Sequence, residues 1–213
     1  MGEIFERTTP TSPFEWTGER LTTAGSFRVG IGRLHRYFFA RSLCRELDVV
    51  DIAPGEGYGT ALLAQVARSA IGIELSAEAV AHAQSAYGGS NLRFMQGDAR
   101  RIALPDDSVD VVVSFDTIEH FHEQETFVAE VRRILRPDGV FIISSPECDI
   151  YSPADRPSNQ YHVKELTRAE FGKLLAGKFR NVTMYGQRPL LGGAIIAVLA
   201  KKLSAVFHDG EDA

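Results

Sequence analysis

The run V-V-D-I-A-P-G-E-G-Y-G-T, residues 49–60, limits what this chain can fold into more than any other stretch. A buried-type apolar strand, residues 47–53, runs into glycines at 55, 57 and 59. A helix is expected next, from about Thr60 to Arg68. Glycine tolerates positive φ and lets a backbone turn tightly and approach a ligand closely. Strand, tight turn and helix in that order are the opening of an α/β unit.

The alternation continues along the chain. Ala70–Glu74 reads as a second strand and about Ala77–Tyr87 as a helix. Asn91–Gln96, Val109–Phe115 and Val140–Ser145 read as strands three to five. A helix over about Glu123–Leu135 stops before the turn chemistry of Arg136-Pro137-Asp138-Gly139. Ahead of strand one, Ile31–Leu47 is helix-like, with Leu34, Phe38 and Leu43 on one apolar face. Residues 146–162 read as a polar loop, Leu166–Leu175 as a helix and Val182–Tyr185 as a sixth strand. The tail from 190 fits strand or helix. Residues 1–26, with Pro10, Pro13 and Trp16, read as an irregular arm before a single domain over 27–213. Such alternation implies a doubly wound, mainly parallel sheet with helices on both faces. Ligands then sit outside the carboxyl ends of the strands. Residues 51–59, Glu74, Asp98 and residues 116–120 surround one such crevice.

The chain has 213 residues, 44% of them hydrophobic and 24% charged, an ordinary soluble composition. A net charge of −5 without a Lys/Arg block argues against a nucleic-acid or anionic-membrane partner. Cys44 and Cys148 have no metal or redox spacing, which suggests a reduced, cytoplasmic setting. The N-terminus lacks a signal-peptide pattern, and the apolar stretch Leu190–Ala200 is too short to span a bilayer. Homodimer formation stays open.

The glycine pattern is D-x-A-x-G-x-G-x-G, and position 60, where a dinucleotide loop wants Gly or Ala, is Thr. That argues against a nucleotide-binding dehydrogenase. Glu74 ends strand two, placed to accept hydrogen bonds from a ribose diol, and Asp98 follows strand three, where an acid can meet an adenine amine. The segments V-V-D-I-A-P-G-E-G-Y-G, I-G-I-E, Q-G-D-A, D-D-S-V-D-V-V-V-S-F-D and L-R-P-D-G-V-F-I-I-S-S-P stand in that order. Together they resemble the class I S-adenosylmethionine-dependent methyltransferases. The resemblance implies a Rossmann-like fold and S-adenosyl-L-methionine as cofactor. It puts Gly55 and Gly57 against the methionine part, Glu74 on the ribose and Asp98 and Ala99 at the adenine. Asp51, Ala53, Leu75 and Ser114 complete the expected cofactor contacts.

F-D-T-I-E-H-F-H-E, residues 115–123, gathers three carboxylates and two imidazoles where strand four ends. In a helical turn, Asp116, Glu119 and His120 fall on one side. His162, in the polar loop, comes to the same sheet edge. This set suits a divalent ion, with Mg²⁺ expected, and resembles the E-x-x-E-H…H site of RNA 3′-terminal 2′-O-methyltransferases. Coenzyme Q O-methyltransferases have a similar E-x-x-E-H. The first acid here is Asp116 rather than Glu. The competing reading makes Asp116 a helix cap, Glu119 solvated and His120 a packing residue. His120 and Glu119 are the candidate catalytic pair; Trp16, Tyr151 and Tyr161 are the candidate acceptor contacts. T-G-E-R-L, L-H-R-Y-F, N-Q-Y-H-V-K-E-L and Y-G-Q-R resemble methyltransferases encoded with bacterial glycan-assembly enzymes. That group includes sugar O-methyltransferases of mycobacterial methylmannose polysaccharide synthesis. The resemblance implies a small-molecule or oligosaccharide acceptor and O-methyl transfer. A metal-free N- or O-methyltransferase of a small metabolite is the alternative.

Overall fold

The computed structural model describes residues 27–152, 159–187 and 194–200. Trp16 and the rest of the expected arm lie outside the described residues. The elements are α1 (Phe27–Ser42), β1 (Asp48–Ile52), α2 (Tyr58–Ala64), β2 (Ser69–Glu74), α3 (Ala77–Tyr87) and β3 (Leu92–Gln96). They continue with β4 (Val109–Phe115), α4 (Gln124–Ile134), β5 (Leu135–Ser145), α5 (Cys148–Tyr151), α6 (Arg168–Ala176), β6 (Asn181–Gln187) and β7 (Ala194–Ala200). A 3-10 turn at Ile118–His120 stands between β4 and α4.

The strands form one sheet in the order β3-β2-β1-β4-β5-β7-β6. Neighbours from β3 to β5 are parallel, and β7 runs antiparallel to both β5 and β6. The chain winds outward from β1 to β3 and then returns to the other side of β1 as β4. The carboxyl ends of β1 and β4 therefore flank the switch point where ligands bind in such sheets.

Side-chain alternation puts both faces of the sheet to use. Val112 on β4 packs with Val50, Phe141, Phe127, Val131 and Phe171 on one face. Val111 and Val113 pack with Val49, Ile142, Tyr37, Ala40, Cys44 and Leu63 on the other. Helix α4 meets the sheet through Phe127, Val128, Val131 and Ile134, all fully buried and at helical spacing. Ser76 caps α3, and Thr167 with Glu170 forms a capping box on α6.

Several boundaries differ from the sequence reading. Helix α1 starts and ends earlier than Ile31–Leu47. Helix α2 stops at Ala64 rather than near Arg68; the Asn91 side-chain amide donates to the carbonyls of Ala64 and Ala67 and closes that end. The turn residues 136–139 lie inside β5 as a bulge, since Val109 pairs with Leu135 but Val111 pairs with Val140. The loop 146–162 contains the one-turn helix α5. The ambiguous tail supplies β7, a strand.

Candidate functional site

The cofactor side begins where β1 ends. Ala53 has φ 58, Gly55 φ 61 and Gly57 φ 96, so the turn passes repeatedly through the left-handed region. A Cβ at Gly55 would meet no atom of the described residues within 4 Å, its chain neighbours aside, whereas one at Gly57 would strike Ala83 and Phe94. Gly57 thus serves the packing of the loop, and Gly55 leaves space. Asp116, at the end of the neighbouring β4, also has positive φ, 52. Two non-glycine residues in that region at adjacent strand ends are the kind of strain that gathers at functional sites.

A cavity of about 300 Å³ opens between these ends. Ala53, Gly55, Glu74, Asp116 and His120 line it, joined by Arg33 and Tyr37 from α1. Glu74 accepts the amide hydrogens of Gly55 and Ser76 at 3.2 Å each, which ties the glycine turn to β2. Asp51 lies under the turn, fully buried. One of its carboxyl oxygens accepts from the Thr60 hydroxyl at 2.7 Å and the Tyr37 hydroxyl at 3.1 Å. The other has no hydrogen-bond partner among the described residues. Desolvation pushes the Asp51 carboxyl up to about 7, against the pull of those two hydroxyls.

The other expected cofactor contacts have distinct surroundings. Leu75 is exposed beside Glu74, and Gly97 at the end of β3 donates to the Glu74 carbonyl. Asp98 holds Arg100 through both carboxylate oxygens, and Ala99 packs against the core. Ser114 corrects an expectation: it is fully buried, and its hydroxyl donates to the Ile52 carbonyl. It ties β4 to β1 and does not line the cavity.

The acidic stretch after β4 also departs from the expected helical turn. Asp116 is drawn towards α1, where Arg36 and Arg33 both pair with it, and the Ser144 hydroxyl donates to it at 2.9 Å. Burial works against its charge, but the two guanidiniums hold its carboxyl below the ordinary range. Arg36 also donates to Gln187 at 2.9 Å, so α1, β4 and β6 meet here. Asp116 therefore neither caps a helix nor joins the imidazoles.

Glu119, His120 and His162 do come together, each offering a ligand atom within 4.8 Å of the others. The fold achieves this by anchoring the loop after α5 onto the 3-10 turn. Val163 and Lys164 donate their amides to the Glu119 carbonyl at 2.8 and 3.1 Å. The buried Gln124 side chain donates to the carbonyls of both Ile118 and Lys164. Glu119 is fully buried, so it is not the solvated residue of the competing reading. Neither of its carboxyl oxygens has a hydrogen-bond partner among the described residues. Desolvation first, and the Asp116 charge second, raise its carboxyl well above the usual range. The rings of His120 and His162 meet edge to face at 5.2 Å, and Tyr151 stacks on His162 at 5.3 Å. Tyr161 is exposed, and its carbonyl lies 2.9 Å from His120 Nδ1.

Orphaned carboxyl oxygens beside two imidazoles fit a divalent ion by donor chemistry. The open glycine turn and Glu74, both on the cavity wall, fit a ligand carrying hydroxyls. Arg33, Arg36, Gln124 and Glu165 take part around the site but were not named as site residues from sequence. Arg36 and Glu165 lie within the quoted segments L-H-R-Y-F and N-Q-Y-H-V-K-E-L, whereas only position in the fold marks Arg33 and Gln124.

Comparison with known proteins agrees with the geometry. Residues 50–143 match the family described as a methyltransferase domain. A probable S-adenosylmethionine-dependent methyltransferase of Mycolicibacterium smegmatis is 44% identical over 133 residues, 62% of this chain and 51% of that protein. One of Mycobacterium tuberculosis is 41% identical over 159 residues, 72% of this chain and 57% of that protein. The chain thus spans little more than half the length of these relatives. The crystal structure of YcgJ from Bacillus subtilis superposes with a TM-score of 0.66 at 20% identity, covering 80% of this chain and all of that one. No helix among the described residues is long and apolar enough to cross a membrane. The strand order, the glycine turn at the switch point and the matched segment agree: residues 50–143 are similar to a methyltransferase domain, and the fold is the one shared with these methyltransferase structures.

Proposed function

We propose that the chain transfers a methyl group from S-adenosyl-L-methionine to a hydroxyl of a sugar or oligosaccharide, assisted by a divalent ion at Glu119, His120 and His162. The observation that carries this reading is Glu119: a fully buried carboxyl with both oxygens unsatisfied, grouped with two imidazoles and adjoining the cavity through His120. A buried carboxylate without a partner is costly, and a cation removes that cost. A hydroxyl is also the acceptor that most needs help, because its pKa lies far above neutrality.

Within this reading, Ala53, Gly55 and Glu74 hold the methyl donor from the β1–β2 side, with Asp51 supporting the turn from beneath. The bound ion would lower the pKa of the acceptor hydroxyl and orient its oxygen. With the ion bound, the acceptor's proton would pass to solvent; when no ion is bound, His120 Nε2, on the wall shared by the donor cavity and the cluster, can receive that proton. Tyr151 and Tyr161 are exposed beside the imidazoles and offer flat apolar surface to a sugar ring. One carboxylate and two imidazoles favour Mn²⁺, Co²⁺ or Zn²⁺ over Mg²⁺, which prefers oxygen ligands. The expectation of Mg²⁺ rested on a second carboxylate, and Asp116 is engaged by arginines instead.

The test is an acceptor screen over mono- and oligosaccharides with isotopically labelled cofactor. Sugar methylation should vanish in chelator and return more strongly with Mn²⁺ than with Mg²⁺. Full-rate transfer in EDTA would remove the ion and leave His120 as a metal-free base. Methylation confined to amines or hydroxyls of small metabolites, at full rate in chelator, would favour the small-metabolite alternative.

A further inference from the structure

Each imidazole of the cluster commits one nitrogen to an oxygen acceptor. His120 Nδ1 is 2.9 Å from the Tyr161 carbonyl, and His162 Nδ1 is 2.5 Å from Glu165 Oε1. A carbonyl or an ionised carboxylate offers no proton. In the neutral rings Nδ1 must therefore carry the hydrogen, and both lone pairs reside on Nε2. The Asn159 side-chain amide nitrogen, a donor, lies 3.0 Å from His162 Nε2, as that tautomer requires.

The Glu165 carboxyl is itself held in place. Its side chain is 8% exposed, and Oε1 also accepts from the Ser152 hydroxyl at 3.0 Å. Ser152 directly follows α5, whose Tyr151 ring stacks on His162. The backbone of Cys148 bonds to the Leu166 carbonyl at 3.1 Å, which closes α5 onto the segment carrying Glu165. One side of the His162 ring system is thus built as a bracket, while among the described residues Nε2 faces the Asn159 side-chain amide, whose oxygen accepts from the Tyr161 amide.

We propose that Glu165 is a positioning residue that holds His162 as its Nδ1–H tautomer, so that Nε2 is the atom His162 brings to the cluster with Glu119 and His120. Histidines that bind metals characteristically donate their second ring N–H to a carboxylate or carbonyl, and loss of that partner typically weakens metal binding 10- to 100-fold. The tautomer part stands on the contacts of Glu165 alone; the metal part rests on the divalent-ion reading above.

The experiment uses the full chain labelled with ¹⁵N-histidine, at a pH where the imidazoles are neutral. His162 is assigned with His162→Gln. Wild type should show His162 with the hydrogen on Nδ1. Glu165→Gln retains an acceptor oxygen and should keep this pattern. Glu165→Ala, or Glu165→Met if the smaller side chain destabilises the fold, should shift the hydrogen towards Nε2. Titration with Mn²⁺, read by electron paramagnetic resonance, should show 10- to 100-fold weaker binding in the Ala or Met variant and a smaller loss in Gln. Affinity for S-adenosyl-L-methionine should stay the same in all three and serves as the control for folding. An unchanged tautomer in the non-accepting variants overturns the proposal, as does unchanged Mn²⁺ affinity. Wild type that binds no Mn²⁺ overturns the divalent-ion reading instead, and the tautomer comparison still decides the role of Glu165.

Discussion

At Asp51 the cost of burial has a measurable sign. Desolvation raises its carboxyl to about 7, while an unfolded Asp titrates near about 3.9. Between those values the native state keeps a proton that the unfolded state has released. Native stability from this group is therefore greatest below about pH 4, falls as pH rises towards 7 and is flat above. Asp48 works the other way. Hydrogen bonds from Arg68 depress its carboxyl, so its contribution is present above about pH 4 and lost as pH falls further. Asp51→Asn should flatten the loss between pH 4 and 7, measured as the change in thermal midpoint across that range. A variant with the wild-type slope would show that Asp51 ionises normally in the fold.

The contact between α1 and the end of β4 gives Asp116 its conformation and its partners. Asp116 leaves the strand at φ 52, Ser144 on β5 donates to it, and Arg33 and Arg36 reach it from one face of α1. Arg36 is almost fully buried and lies over the Phe115 ring at 5.7 Å. Removing it leaves a poorly solvated carboxylate with a weaker partner. Arg36→Ala should lower stability by about 3 kcal/mol. In a double-mutant cycle with Asp116→Ala, the coupling should exceed about 1 kcal/mol. Urea unfolding of the four proteins checks this. Additive effects would mean that α1 is held by packing alone. The 3-10 turn that follows is short for the same reason: Asp116 turns away to α1, and the helical geometry begins only at Ile118.

Across the whole molecule, the larger core lies between the sheet and α4, α6. Phe127 is fully buried at its centre, edge-on to both Phe121 and Phe141. Phe127→Ala should cost about 3–5 kcal/mol in denaturant unfolding. A loss below about 1 kcal/mol would mean that this layer repacks without a cavity. Much of the architecture could be read from the chain itself, because its signals are local. Strand periodicity, glycines at the β1 turn and an acid at the end of β2 act within a few residues, and all fall where they were expected. So do the existence of α3 and the strand character of β1 to β6. What sequence alone could not decide depends on contacts far apart in the chain. Asp116 is taken by arginines 80 and 83 positions away. Glu119 is buried because a loop more than forty residues later folds over its carbonyl. The tail becomes β7 because a gap between β5 and β6 offers it hydrogen-bond partners on both edges. An acid's charge, a histidine's tautomer and an ambiguous strand each depend on what the rest of the fold brings beside them, and local propensity carries no record of that.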